Sequence, residues 1–348
     1  MPNRDPVIDQ IKEKLDILDL VRDACILTQD GDEWRGAHNK HSSESGESLS
    51  VNPKKQAWYC FNCGAGGDVL SWIADQRNLD TRTDFPQVLE IAAEKTGVQL
   101  QGVDMAAWSE LNEIRTLYTA AAEHYHSNLA DAHREFIHEQ WGLTDKTIDD
   151  LKIGMAKTTG TALQEEFKNL FARDLIEKSG LVIHTSGGWL DTFQGRIIFP
   201  YWLNGQVVYF IGRQSEWTPK TEYESMKYKK LVTRSKNHDY VSEHIGNRYF
   251  YGEDSVRSAK NFFVITEGVT DCISLLQEGI PSISPVTVRF RKQDHDRLLK
   301  LAKRVEMVYI CNDTDEAGIK GAIDTAEFLD THGVDVKIVQ LPRDDMNE

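Results

Sequence analysis

Long apolar runs are missing from this 348-residue chain, and so is a hydrophobic N-terminus. Nothing approaches the roughly 18 consecutive apolar residues of a membrane span. The polar opening MPNRDPVIDQ has no signal-peptide character, so a soluble, cytoplasmic protein with no membrane partner is expected. Cysteine is scarce: Cys25, Cys60, Cys63, Cys272 and Cys311 are too few and too scattered for a disulfide framework. Basic residues are outnumbered, with 40 Lys and Arg against 55 Asp and Glu, and the net charge of −15 excludes a surface that binds nucleic acid all over. A local basic groove remains compatible with that total, because the field at a site depends on where charges sit. Internal repeats and low-complexity tracts are absent as well. What is present is a 40% hydrophobic and 9% aromatic composition, enough for packed cores. The length allows two or three domains.

Changes of pattern mark the boundaries. Residues 6–24 read as one amphipathic helix, with Ile8, Ile11, Leu15, Leu18 and Val21 at helical spacing. Short strands are predicted at 32–36, 48–52 and 56–60, then a helix over 69–77 capped by Asp68, then a helix over 86–96 stopped by Gly97. Residues 110–178 have a mostly helical pattern, broken at 141–144, where Thr144 can cap the next helix. Residues 189–234 turn strand-like, with an Asn204-Gly205 turn between RIIFPYW and QVVYFIG. From about 260, strand alternates with helix, which predicts a parallel α/β sheet.

His38-x2-His41, followed after 18 residues by Cys60-x2-Cys63, has the spacing of two metal-binding knuckles. Two-residue gaps let both side chains of a pair reach one ion, and Zn²⁺ accepts four N or S ligands tetrahedrally. Gly64, Gly66 and Gly67 supply permissive backbone for a tight knuckle. The plainer alternative is two surface histidines and two free cysteines that lie close by chance. With four protein ligands, such a site is closed and structural.

In NFFVITEGVTD an apolar strand runs into Glu267, with Asp271 opening the next helix; in VEMVYICNDTDEAG a second strand runs into Asp313-x-Asp315. Ligands of open parallel sheets bind at the carboxyl ends of strands, where these acids converge. Clustered carboxylates suit Mg²⁺ or Mn²⁺ and phosphoryl chemistry. Helix N-termini favour acids in any case, which accounts for Asp271 but not for Glu267 and the Asp-x-Asp pair together. Asp345, in LPRDDMNE, is a further candidate, and Cys272 and Cys311 read as core. Residues 227–236, KYKKLVTRSK, hold Lys227, Lys229, Lys230, Arg234 and Lys236 with no acid among them. This is either a solvated face or a single positive strip facing a polyanion.

These regions, in this order, resemble the bacterial (DnaG-type) DNA primases over nearly the whole chain. WRGAHNKH with WYCFNCGAGGDVLSWI is similar to the family's zinc domain, with His38 where the family usually has Cys. FQGRIIFPYWLNGQVVYFIGRQ, MKYKKL and FYG resemble its basic polymerase subdomain; EGVTD and DTDEAG resemble the two Toprim signatures. The resemblance implies an α+β multidomain protein: a zinc ribbon over 1–100, a mixed α/β basic subdomain over 110–255, and an α/β Toprim domain over 256–348 with a mainly parallel sheet. It implies catalytic acids at Glu267, Asp271, Asp313, Asp315 and Asp345, and nucleotide or nucleic-acid contacts at Arg196, Arg213, Lys227, Lys229, Lys230 and Arg248. Implied partners are a single-stranded DNA template, ribonucleoside triphosphates, a replicative helicase and a single-stranded DNA-binding protein.

Departures are visible too. Trp141 stands where the family usually has an arginine, a groove lysine before the FYG turn is missing, with Gly246 near that place and Arg248 the closest substitute, and Asn347 stands where a second aspartate is usual. No counterpart of the family's helical bundle or helicase-binding domain occurs in these residues, so a piece of a longer protein or a divergent lineage is expected. The implied activity is RNA primer synthesis by metal-dependent nucleotidyl transfer. The alternatives are a Toprim nuclease or strand-passage enzyme, and a catalytically decayed single-stranded DNA-binding module.

Overall fold

The computed structural model of the chain describes residues 6–41, 46–79, 81, 85–100, 105–203, 206–257 and 259–339. Asp345, Asn347 and the Asn204-Gly205 turn lie outside the described residues. The chain divides into two compact units, Met1–Ile114 and Arg115–Glu348.

In the first unit, helices α1 (Pro6–Lys14) and α2 (Ile17–Arg22) precede strands β1 (Leu27–Asp30), β2 (Glu33–Gly36), β3 (Leu49–Asn52), β4 (Ala57–Cys60) and β5 (Gly66–Gly67). Helices α3 (Val69–Arg77) and α4 (Phe85–Thr96) follow. The single helix expected over 6–24 is two helices. Asp16 accepts from the Leu18 and Asp19 amides at 2.8 and 3.1 Å, and this N-cap ends one helix and starts the next. The sheet runs β1-β2-β3-β4-β5 with every pair antiparallel. Strand alternation sends Val51 and Trp58 inward onto Ile8, Ile11, Val21, Trp72, Val88 and Leu89, all buried. Asp68 caps α3 as expected, accepting from the Leu70 and Ser71 amides. Gly97 takes a φ of 68° at the end of α4.

The second unit begins within α5 (Met105–Ser127), then α6 (Asp131–Trp141) and α7 (Asp145–Asp150), the last capped by Thr144 as expected. Next come β6 (Gly154–Met155), α8 (Ala162–Phe167), α9 (Arg173–Lys178), β7 (Val182–Thr185) and β8 (Gly188–Asp191). β9 (Arg196–Leu203), β10 (Gln206–Gln214) and β11 (Tyr228–Lys230) join β6 in an antiparallel sheet of order β11-β10-β9-β6. β9 is buried at nearly every position, so it reads as a continuous apolar run.

α10 (Glu253–Arg257), β12 (Phe262–Thr266), α11 (Val269–Gln277), β13 (Ser282–Ile283), α12 (His295–Ala302), β14 (Met307–Cys311), α13 (Glu316–Thr331) and β15 (Val336–Ile338) complete the order. Their sheet, β13-β12-β14-β15, is parallel at every pairing, as the alternating pattern predicts. Both acid-bearing strand ends lie in its middle. No helix among the described residues is long and apolar enough to cross a membrane.

Candidate active site and metal centres

The two knuckles come together. The donor atoms of His38, His41, Cys60 and Cys63 all lie within 4.8 Å of one another. His41 Nε2 is 3.1 Å from Cys60 Sγ, and His38 Nδ1 is 3.6 Å from Cys63 Sγ. Burial pushes the Cys60 thiol up, but the Cys63 and Asn62 amides, Cys63 and His41 outweigh it and bring it down to about 6. A thiolate is the metal-binding form, so this donor set fits a closed structural Zn²⁺ site. His38, although it replaces the family's usual cysteine, is buried and aimed by Asp75, whose Oδ2 lies 3.1 Å from its Nε2. A carboxylate behind a ligating imidazole fixes the tautomer and raises its basicity. Asp75 sits on α3, 37 residues away, and no spacing rule points to it.

The acids are built from the sheet upward. β12 and β14 are parallel neighbours with Thr266 opposite Cys311, so the chain emerges from both at one level. Glu267 leaves one strand there, and Asn312-Asp313 leaves the other, a strand spacing of about 5 Å away. Burial, then Asp313, Asp315 and Asp271, push the Glu267 carboxyl up from 4.5 to about 7. Its Oε2 is buried with no hydrogen-bond partner among the described residues. Such an orphaned oxygen among neighbouring carboxylates fits a divalent cation. Gly318 lets α13 approach this oxygen: a Cβ there would lie 2.3 Å from the Asp313 carbonyl and 3.0 Å from Glu267 Oε2. Asp315 caps α13, its Oδ1 accepting from the Gly318 amide at 2.6 Å, and Asp271 caps α11 by accepting from the Gly268 amide at 2.9 Å. The acids are spread more widely than the zinc donors; among the described residues only the His/Cys set gathers within 4.8 Å. Cys272 and Cys311 are buried core, as expected.

Of the two readings of residues 227–236, a solvated face or one positive strip, strand pairing speaks against a single strip. Pairing of β11 with β10 fixes strand alternation, which sends Lys229 and Lys230 to opposite faces. Lys229 pairs with Glu224, while Lys227 is exposed. Arg213 stacks over Tyr228 at 4.8 Å and over Trp141 at 5.8 Å. Burial pushes the Tyr228 phenol up, against the Arg213 charge that draws it down. Trp141 thus supports Arg213 at the place where the family's arginine is missing.

Arg196 corrects the expectation of a nucleotide contact. It is fully buried, and its guanidinium donates to Glu224 Oε2 at 2.8 Å, the Glu224 carbonyl at 2.9 Å and the Met226 carbonyl at 3.0 Å. Its fork is spent on folding the 215–226 excursion back onto β9. Arg196→Ala is expected to lower stability by about 3 kcal/mol, because it leaves Glu224 buried with Lys229 alone. Urea denaturation measures this. Arg248 is half-buried beside Gly246, its guanidinium held below the usual range by burial.

Three family models match this chain in series: CHC2 zinc finger over residues 3–107, DNA primase catalytic core N-terminal domain over 121–236, and Toprim-like over 264–348. The DNA primase of Thermotoga maritima is 27% identical over 337 residues, covering 93% of this chain and 55% of that protein. That of Geobacillus stearothermophilus is 27% identical over 351 residues, covering 96% and 55%. The chain therefore spans about half the length of the curated relatives it matches. The crystal structure of the zinc-binding and RNA polymerase domains of Aquifex aeolicus primase shares the fold, with a TM-score of 0.58 at 23% identity over 98% of this chain and 81% of that one. A DnaG primase catalytic domain bound to single-stranded DNA gives 0.55 at 19% identity over 68% and 74%. Zinc finger, primase core and Toprim follow one another here in a single order, and the chain belongs to the bacterial, DnaG-type primase family.

Proposed function

We propose that this chain is the zinc-binding and polymerase portion of a DNA primase, which synthesises short RNA primers on single-stranded DNA. The reading is carried by Glu267 and Asp313, which leave adjacent parallel strands at one level, with the Glu267 Oε2 buried and unpartnered among the described residues. The substrates are ribonucleoside triphosphates and a DNA template; a replicative helicase and a single-stranded DNA-binding protein are its partners in the cell.

Glu267, Asp313 and Asp315 hold Mg²⁺ or Mn²⁺, which when bound neutralises charge on the phosphoryl group being transferred. Asp345, outside the described residues, is a further candidate for the same set. Arg213, braced by Trp141 and Tyr228, presents its guanidinium to the phosphates of the incoming nucleotide. Lys227, exposed at the start of β11, contacts the template backbone, so Lys227→Glu should weaken single-stranded DNA binding several-fold at low salt. Lys229→Glu should instead cost stability, because it sets a second carboxylate against Glu224. The zinc domain helps select the template.

The test is incorporation of labelled ribonucleotides on single-stranded DNA with Mg²⁺ or Mn²⁺. Primers of ribonucleotide-dependent length are expected. DNA cleavage without nucleotides would replace this reading with a nuclease, and DNA binding with neither activity would replace it with a decayed module.

A further inference from the structure

Helix α11 carries Asp271 in its first turn and ends at Gln277. From that end the Gln277 side chain reaches the turn between α6 and α7, where Thr144 lies 133 residues earlier in the chain. Its Oε1 accepts from the Thr144 amide at 2.8 Å and from the Thr147 hydroxyl at 2.9 Å, while its Nε2 donates to the Gly142 carbonyl at 3.2 Å. The two ends of the amide cannot be exchanged, because a backbone N–H only donates and a carbonyl only accepts. Glutamate would lose the donor and methionine would lose both ends, so glutamine alone among unbranched side chains of this length satisfies all three groups.

The clamp falls where the two helices cannot help themselves. Gly142 ends α6 with a φ of 62°, and Thr144 opens α7 as its N-cap. The Gly142 carbonyl and the Thr144 amide are therefore terminal groups that need a partner from outside either helix. Directly before the turn stands Trp141, buried against Phe199 of β9 with ring centroids 5.6 Å apart. Its ring also faces Arg213, whose guanidinium lies 5.8 Å from it and 4.8 Å from the Tyr228 ring. Tyr228 lies opposite Arg213 on the paired strand β11, so it moves with the same sheet. Trp141 belongs to α6, and Gln277 ties the end of that helix to α11. One rigid helix thus holds a candidate metal-site acid near one end and the support of the candidate nucleotide arginine at the other. The helix between Asp271 and Gln277 spans about 9 Å.

We propose that Gln277 is a positioning residue for the nucleotide: by fixing the α6–α7 turn to α11, it sets where the Trp141-backed guanidinium of Arg213 stands relative to the acids. The proposal rests on the primase reading above, in which Arg213 meets the phosphates of the incoming nucleotide.

The test uses the full chain and four variants. Gln277→Met keeps the length and loses both polar ends, and Gln277→Glu keeps the acceptor. Arg213→Ala and the double variant Gln277→Met/Arg213→Ala complete the set. Gln277 is half-buried, so each variant should fold, and circular dichroism checks it. ATP affinity is measured by isothermal titration calorimetry with Mg²⁺, and KM and kcat by primer synthesis. Arg213→Ala should weaken ATP binding about tenfold, as loss of a charge-assisted contact does, and Gln277→Met about threefold to fivefold. Gln277→Glu should fall between Gln277→Met and wild type. KM for ATP should rise in step while kcat stays within about twofold. The double variant should bind ATP no more weakly than Arg213→Ala, because without the guanidinium the clamp has nothing to place. A fully multiplied loss in the double variant overturns the proposal. So does a Gln277→Met chain that binds ATP as wild type does, whatever its melting temperature. A wild type that binds ATP but makes no primers refutes the primase reading alone, and the comparison of ATP affinities still decides the role of Gln277. A wild type that binds no ATP leaves Arg213 no nucleotide to meet and overturns the proposal as well.

Discussion

Asp313→Asn is expected to abolish ribonucleotide incorporation, with a loss of at least about a hundredfold, while single-stranded DNA binding stays within about twofold. The amide keeps the shape of the side chain and removes one negative charge, and the cation is held by charge more than by shape. Asp315→Asn should behave alike in activity and keep the helix cap, since an amide oxygen can still accept from the Gly318 amide. Glu267→Gln adds a second readout. Its carboxyl is raised from 4.5 to about 7 by burial and by Asp313, Asp315 and Asp271. The native state therefore holds a proton that the unfolded chain has already released, and stability falls as pH rises from 4.5 to about 7. In metal-free buffer at pH 8 the Gln variant should be more stable than wild type by on the order of 1 kcal/mol, screening by solvent included. Below pH 4.5 the difference should vanish. Saturating Mg²⁺ should reverse it at pH 8, because the ion stabilises only the carboxylate form. Full incorporation by the Asp313 variant would remove the acids from the catalytic role.

Much of the fold is legible in the sequence, for physical reasons that can be named. Apolar strands ending in acids, as in VIT-Glu267 and YICN-Asp313, announce a parallel sheet, and that sheet puts Glu267 and Asp313 at neighbouring strand ends. The two-residue gaps in His38-x2-His41 and Cys60-x2-Cys63 encode a local geometry, which needs no tertiary information. What was not legible depends on partners distant in sequence. Arg196 looks like any surface arginine until Glu224, 28 residues later, folds over it. The lysines of residues 227–236 form a row in sequence, but strand pairing separates Lys229 from Lys230. Asp75 behind His38 and Arg291 beside Lys230 sit on elements with nothing in their own spacing to mark them. The break at Asp16 was readable in principle, since Asp followed by an apolar run is an N-cap signal. The uninterrupted helical spacing across it concealed the cap.

Cys60→Ala is expected to release the zinc and unravel the ribbon around residues 33–67 while α1 to α4 keep much of their packing. Two observations set that division. Cys60 and His38 are buried, so losing the ion leaves polar donors inside the unit with only each other and Asp75 to satisfy them. Trp58 and Trp72, whose rings meet at 4.8 Å, flank His38 and lose their support with it. Ile8, Ile11, Val88 and Leu89, by contrast, pack helix on helix and do not depend on the knuckle. Structural zinc contributes about 10 kcal/mol or more in domains that lack another core. The helical core here should reduce the visible loss to a partial unfolding. Hydrogen exchange should show protection lost in β2 to β5 and retained in α4, and metal analysis should fall from about one zinc per chain to none. His38→Ala should repeat the result, and Asp75→Asn should weaken zinc binding by about ten- to a hundredfold without abolishing it. Acidification should mimic the cysteine variant, because protons compete for the thiolates and imidazoles that hold the ion. Metal-free protein with a fully protected ribbon would show that the quartet is packed for its own sake and holds no ion.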